Sequence, residues 1–234
     1  MLPPQNRHDF LEEIARQLGR PLRREPPAPP PPVSDFAASR LTELTQEERC
    51  TAFSDYARDV LKVNCCRVSE DQLIPAVLAL CEEYGRSPVI VSGDLRLQAL
   101  GVTQALQQQL GATVWQPDAG AENLTRAEQA QVGVVYAEAG LTESGSVVLF
   151  SAPDRGRAVS LLPTASIFVL RKSTILPRVA QLAQQLHQRA QRGERMPSCI
   201  NLIAGPSSTA DIELIKVVGV HGPVHAAYVI IEDC

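Results

Sequence analysis

The sequence predicts an α/β protein built on a mostly parallel β-sheet with helices on both faces. Three observations carry this. From Thr45 onward, helical and strand-like segments alternate in a repeated βα rhythm. The strand-like segments, Pro88–Val91 among them, are near-continuous Val/Ile runs, as expected of strands buried on both sides. A chain of 234 residues with 44% apolar and 21% charged residues suits one large soluble α/β domain, alone or with an arm.

Taken in order, residues 8–19 read as a short amphipathic helix. Phe10 and Ile14, with Leu11 and Leu18, form one apolar stripe, and Gly19 is the stop. Proline dominates residues 21–32, which excludes a helix or central strand and predicts a semi-rigid polyproline arm. The helix on this arm either folds back on its own domain or packs on a neighbouring subunit or partner. The expected division is therefore an arm over residues 1–33 and an α/β domain over residues 34–234. Thr45-Gln46-Glu47-Glu48 is a capping box opening a helix to about Val60. A strand over Val63–Val68 and a helix over Glu70–Tyr84, stopped by Gly85, come next. The strand Pro88–Val91 ends at Ser92-Gly93-Asp94, a loop of the kind found at the carboxyl edge of parallel sheets. A helix at about 103–110 precedes a strand at Ala112–Gln116. The runs Gln131–Tyr136 and Gly145–Phe150 read as paired strands flanking a loop. A strand at Ile167–Leu170, a long helix at about Leu176–Arg192, and strands at Cys199–Ile203 and Ala226–Ile231 complete the chain.

Composition narrows the function. A net charge of −4 argues against general nucleic-acid binding, which wants a basic footprint. No apolar run reaches the length of a membrane-spanning helix, and the N-terminus shows no apolar secretory segment, so a cytoplasmic protein is expected. The six cysteines, Cys50, Cys65, Cys66, Cys81, Cys199 and Cys234, are scattered without a CxxC spacing. Cys65 and Cys66, adjacent on a strand, point to opposite faces. No metal is expected, and no cofactor in this chain.

Two glycine-containing segments and one basic stretch hold the candidate site residues. In the loop 137–146, Gly140 permits positive φ and a sharp turn, and Gly145 lets backbone approach a ligand. Two readings fit: an ordinary hairpin turn facing water, or a pocket in which the N–H groups of Ser144, Gly145 and Ser146 hold an oxyanion and Glu143 acts as base or nucleophile. In the segment 203–223, an apolar run breaks at Gly205-Pro206. Ser207, Ser208 and Thr209 follow, then Asp211 and Glu213, and a second break at Gly219-Val220-His221-Gly222-Pro223. The hydroxyls suit a carboxylate or phosphate, and Asp211 suits either that site or a helix cap. His221 is the histidine best placed for proton exchange near neutral pH. Between Asp154 and Glu194 there is no acidic residue but seven basic ones. Of these, Arg155, Arg157 and Lys172 are candidates for an anionic ligand or an acidic partner face.

The string GPSSTADIE at 205–213 followed by GVHGP at 219–223 resembles the C-terminal signature of the LUD-domain family, specifically its lactate utilization protein C group (LutC/YkgG). The segment Val134–Ser146 and the helix ending Leu18-Gly19-Arg20-Pro21 are similar to the same group, so the likeness spans essentially the whole chain. Where this chain reads Glu143-Ser144-Gly145-Ser146, the family more often has Thr-Gly-Thr. The resemblance implies a three-layer α/β/α fold shared with ribose-5-phosphate isomerase and CoA-transferase-like proteins. It also implies a multi-protein system that oxidises L-lactate to pyruvate together with two iron–sulfur partner proteins, which would carry the clusters. This chain would then bind the small carboxylate, assemble the complex, or both, with the basic segment and the N-terminal arm as partner contacts. Two alternatives stand beside it: a free-standing acyl- or CoA-transferase- or isomerase-like enzyme using Glu143, and a lactate-sensing regulatory protein.

Overall fold

A computed structural model of the chain describes residues 4–23, 25, 27–28, 30–210 and 216–234. The chain divides into two compact units, Met1–Asp35 and Phe36–Cys234. The described residues of the first unit hold one helix, α1 (Pro4–Gln17), which starts earlier than its apolar stripe and ends ahead of Gly19 at φ +63°. Phe10 on it and Leu18 just after it are exposed. Among the described residues, no helix is long and apolar enough to cross a membrane.

The second unit runs α2 (Phe36–Ser39), α3 (Gln46–Asp59), β1 (Asn64–Val68), α4 (Leu73–Glu83), β2 (Val89–Val91), α5 (Leu95–Ala99), α6 (Val102–Leu110) and β3 (Thr113–Val114). It continues with α7 (Ala121–Gln129), β4 (Val132–Tyr136), β5 (Ala139–Leu141), β6 (Ser146–Phe150), α8 (Ala158–Leu161), β7 (Ala165–Arg171) and β8 (Ile175–Leu176). Last come α9 (Val179–Gln191), β9 (Ile200–Ile203), β10 (Ser208–Ala210), β11 (Lys216–Val218) and β12 (His225–Ile231).

Six strands form one parallel sheet in the order β1-β12-β7-β4-β2-β3. Strands β2, β4 and nearly all of β7 and β12 are buried, which explains their unbroken Val/Ile character. On one face, Leu73, Val77 and Leu80 of α4, Leu97 of α5 and Leu106 of α6 pack against Val91, Val134, Val169 and Val229. On the other, Phe53 of α3, Ala127 of α7 and Val159 of α8 pack against Ile90, Phe168, Tyr228 and Ile230. Cys66 joins the first cluster and Cys65 the second, as strand alternation requires. The Thr45 capping box is formed, with Thr45 Oγ1 accepting from the Glu48 N–H and Glu48 accepting from the Thr45 N–H at 2.8 Å.

The segment 137–146 differs from expectation. β4 and β6 are not partners: β4 lies inside the parallel sheet, and β6 pairs antiparallel with β5 and β9 in a second sheet of order β8-β5-β6-β9. Three residues of the expected loop, Ala139–Leu141, are therefore strand β5, buried throughout. The two glycines exchange roles. Gly140 sits in β5, where a Cβ would meet the Phe53 ring at 3.0 Å, and Gly145 takes the positive φ of +61° in the turn. The second sheet lays Val147 and Leu149 on the inner core and Val148 and Phe150 under Leu182 of α9. The long helix begins at Val179 rather than near Leu176, because Ile175–Leu176 pair with β5 instead.

Candidate functional site

The two glycine breaks of the C-terminal segment meet. The Ser207 N–H donates to Pro223 O at 2.9 Å, and the Gly219 N–H donates to Ser207 O at 2.8 Å. Gly205 holds φ +73°, where a Cβ would come within 3.0 Å of Leu61, and its N–H donates to the Tyr228 hydroxyl at 3.1 Å. That hydroxyl in turn donates to Ile203 O at 3.3 Å. Burial raises the Tyr228 pKa, so the phenol stays a neutral donor under the loop.

These crossings enclose a cavity of about 340 Å³ between β9, the foot of β7 and β12, and α8. Gly205, Ser207, Ser208, His221 and Gly222 line it, with Ser160 and Ser166 adding hydroxyls and Phe168 an apolar floor. The lining offers hydroxyl donors, one exposed imidazole and backbone left open by glycine. Such a set can hold an oxygen-rich small molecule and exchange a proton with it. Thr209 lies on the β10–β11 hairpin, opposite Val217, and is exposed outside this lining. Asp211 and Glu213 lie outside the described residues.

The residues of the other segment serve different contacts. The Glu143 carboxylate accepts from Arg178 Nε at 2.6 Å and from the Val179 N–H at 2.8 Å, capping α9. Burial pushes this carboxyl up, but the Val179 N–H and the Arg178 guanidinium, with Arg40 nearby, hold it below its usual value. Ser144 and Ser146 hydrogen-bond each other at 2.9 Å. Gly145 presses on Tyr56 and Leu61, and Leu61 is the residue that Gly205 also touches. The two motifs thus flank one side chain without sharing a cavity.

Arg155 belongs to a charge network that the sequence did not announce. Asp94, buried at the N-cap of α5, accepts the Arg96 N–H and the Arg96 guanidinium, at 2.6–2.9 Å. Arg96 also reaches Glu138 in a two-pronged contact, and Glu138 accepts Arg155 Nη1 at 2.6 Å. The Arg96 guanidinium lies 4.3 Å from the centre of the Tyr136 ring. Burial works against the Asp94 carboxylate, but the Arg96 side chain and N–H, with the charges of Arg96 and Arg155, keep its pKa lowered. The Ser92-Gly93-Asp94 turn at a sheet edge was the one visible sign of this network. Its partners come together only through sheet order.

Lys172 is not an anion-binding candidate. It is buried, and its ammonium contacts Glu47 at 2.6 Å, Glu232 at 3.1 Å and Cys234 O at 2.7 Å. Arg171, Arg178, Arg189 and Arg192 likewise each have a carboxylate partner. Much of the basic stretch is therefore neutralised within the fold. Among the described residues, no group of three or more His, Cys, Asp or Glu side chains is placed to hold a metal ion, and all six cysteines are free thiols.

The parallel sheet, the flanking helices and the loop-built cavity define an α/β protein with a small-molecule-sized site. The family model described as LUD domain matches residues 56–231. The chain is 62% identical over 229 residues to "Uncharacterized protein YkgG" of Escherichia coli K12, covering 98% of this chain and 99% of that one. It is 40% identical to lactate utilization protein C of Halalkalibacterium halodurans, covering 98% and 99%. It is 39% identical to the protein of that name in Bacillus subtilis 168, covering 98% and 97%. A crystal structure of a DUF162 family protein from Deinococcus radiodurans superposes with a TM-score of 0.57 at 20% identity, covering 80% of this chain and 99% of that chain. That likeness speaks to fold. The chain belongs to the LUD-domain family and, within it, to the group of lactate utilization protein C and YkgG.

Proposed function

We propose that this protein serves L-lactate utilization as the carboxylate-binding component of a multi-protein cytoplasmic system. In that system two iron–sulfur partners carry the oxidation of L-lactate to pyruvate. The observation that carries the reading is the cavity where Gly205–Ser208 meets His221–Pro223. It brings hydroxyl donors and one imidazole from two separated sequence motifs to a single space. Full-length relatives bearing the lactate utilization name support the pathway assignment. In this reading Ser207 and Ser208 hold the carboxylate, and His221 exchanges a proton with the hydroxyl or keto oxygen. Glu143 keeps its place as the cap of α9, since both its oxygens are engaged by Arg178 and Val179.

The test is L-lactate-dependent dye reduction by the anaerobically purified assembly, with and without this chain, and by the chain alone. Turnover is expected only in the complete assembly, with a loss of about tenfold or more for His221→Asn and Ser207→Ala. Full activity without the chain would refute a role in substrate binding.

A further inference from the structure

Three buried polar atoms without a hydrogen-bond partner line a single cavity: Ser151 Oγ, Arg155 Nε and Asn201 Nδ2. Leaving even one buried polar group unpaired is costly, so three converging on one space call for an explanation. The strand register causes the convergence. Leu149 pairs with Asn201 in the β6–β9 ladder, and the Ser151 N–H donates to Cys199 O at 3.0 Å. Ser151 and Asn201 therefore share the inner face of the second sheet with Leu149, which packs in the inner core.

Two of the donors are aimed by neighbours. The Cys199 thiol donates to Asn201 Oδ1 at 3.5 Å, which leaves the amide nitrogen turned away from it and unpaired. Arg155 spends Nη1 on Glu138, and its Nε lies 3.8 Å from the Asp154 carboxylate, too far for a hydrogen bond. Arg157 also lines the cavity. Among the described residues its guanidinium has no carboxylate in ion-pair range, and it donates to Cys199 Sγ at 3.9 Å.

An amide nitrogen and a guanidinium nitrogen only donate, and a serine hydroxyl can donate too. A single water has two lone pairs, so it serves the amide and guanidinium nitrogens only if Ser151 Oγ accepts one of its hydrogens in turn. A carboxylate oxygen accepts all of them. The space is about 20 Å³, room for one oxygen-sized group. Phe150, Ser151 and Arg155 also line an adjoining depression of about 530 Å³, where Arg195 adds positive charge on the approach beside Arg189, which is paired with Glu194. Glu138 balances Arg155, which leaves the charge of Arg157 for a monoanion.

We propose that Ser151, Arg155, Arg157 and Asn201 form a binding pocket for the carboxylate of a small monoanionic acid. The pocket shares Ser160 with the Gly205–His221 cavity but none of that cavity's motif residues, and it does not depend on the lactate reading. The acid enters with its carboxylate first, and its body rests in the arginine-lined depression.

The experiment follows the Asn201 side-chain amide of the isotopically labelled full chain by NMR, titrated separately with acetate, L-lactate and inorganic phosphate. Acetate and L-lactate are expected to shift this amide along a saturable curve, and phosphate, bulkier and more highly charged, much less. Ser151→Ala and Asn201→Ala each weaken binding about tenfold or more, read calorimetrically. Arg157→Gln, a change on an exposed side chain, weakens it similarly and keeps the test valid if a core variant misfolds. Arg58→Gln, on the exposed face of α3 where Arg58 pairs with Asp55, leaves this binding unchanged. No saturable shift across the millimolar range would overturn the proposal. So would binding undiminished in all three pocket variants, or an Asn201 amide that contacts only a trapped water and ignores every anion.

Discussion

Replacing Glu143 by glutamine separates its capping role from any role in chemistry. The carboxylate joins the turn after β5 to the first turn of α9 through Arg178 Nε and the Val179 N–H, and both ionic side chains are only 21% exposed. A charge-assisted hydrogen bond in such a place contributes about 1.5–3 kcal/mol, and an anion at a helix N-terminus adds about 0.5 kcal/mol. Glutamine keeps one acceptor oxygen for the Val179 N–H but loses the charge, so the net cost is about 1–2 kcal/mol at pH 7. For a domain of this size that lowers Tm by about 2–8 °C. The pH dependence has a fixed sign. The Glu143 pKa is lowered in the folded state, so its contribution is present above the unfolded carboxyl value of about 4.3 and fades as pH falls through the folded one. Thermal melts of both proteins from pH 7 downward should show the gap closing in acid. A glutamine variant as stable as the parent at pH 7, or a gap that persists at the lowest pH where both fold, would refute this reasoning.

Two further perturbations test other parts of the fold. A Cβ at Gly156 would sit 2.1 Å from the ring of Trp115, the single tryptophan, so Gly156→Ala should displace that ring, change its emission spectrum and cost about 1–3 kcal/mol in denaturant melts. Burial pushes the Cys65 thiol up to about 11 and the Cys81 thiol up to about 12, while Cys234 is exposed. Alkylation of the native protein at pH 8, mapped by peptide mass, should therefore reach Cys234 first and spare Cys65 and Cys81 until denaturant is added.

Much of the fold could be read locally. The Thr45 box, the glycine stop at Gly85, the Val/Ile strands and the opposed faces of Cys65 and Cys66 follow from short-range rules of capping, φ and alternation. The second sheet could not, because β5 is only three residues long and is held by partners in β6 and β8. Gly140 shows the difficulty at one residue. A glycine needed for φ and a glycine needed for closeness look alike in sequence, and only the Phe53 ring above it decides. The meeting of Ser207 with Pro223 joins motifs that were legible separately. The gathering of Asp94, Arg96, Glu138 and Arg155, and of Ser151 with Asn201, depends on pairings between distant strands. The basic run from Arg155 to Arg192 misled for the same reason: its carboxylate partners, Glu47, Glu70, Glu143, Glu194, Glu232 and Asp233 among them, lie outside it.

The position of β12 bears on how the molecule is made. Strand β12 is an interior one, inserted between β1 and β7, although it follows every other described strand in chain order, and it pairs Cys66 with Val229, 163 positions downstream. Until His225–Ile231 emerges, β1 has no neighbour in the sheet and β7 presents a bare, apolar flank. Nascent chains must therefore carry unpaired strand edges through most of their synthesis, a state prone to misassociation. Any truncation upstream of His225 removes an interior strand and isolates β1 with it. Joining β1 to the rest of the sheet therefore waits on β12.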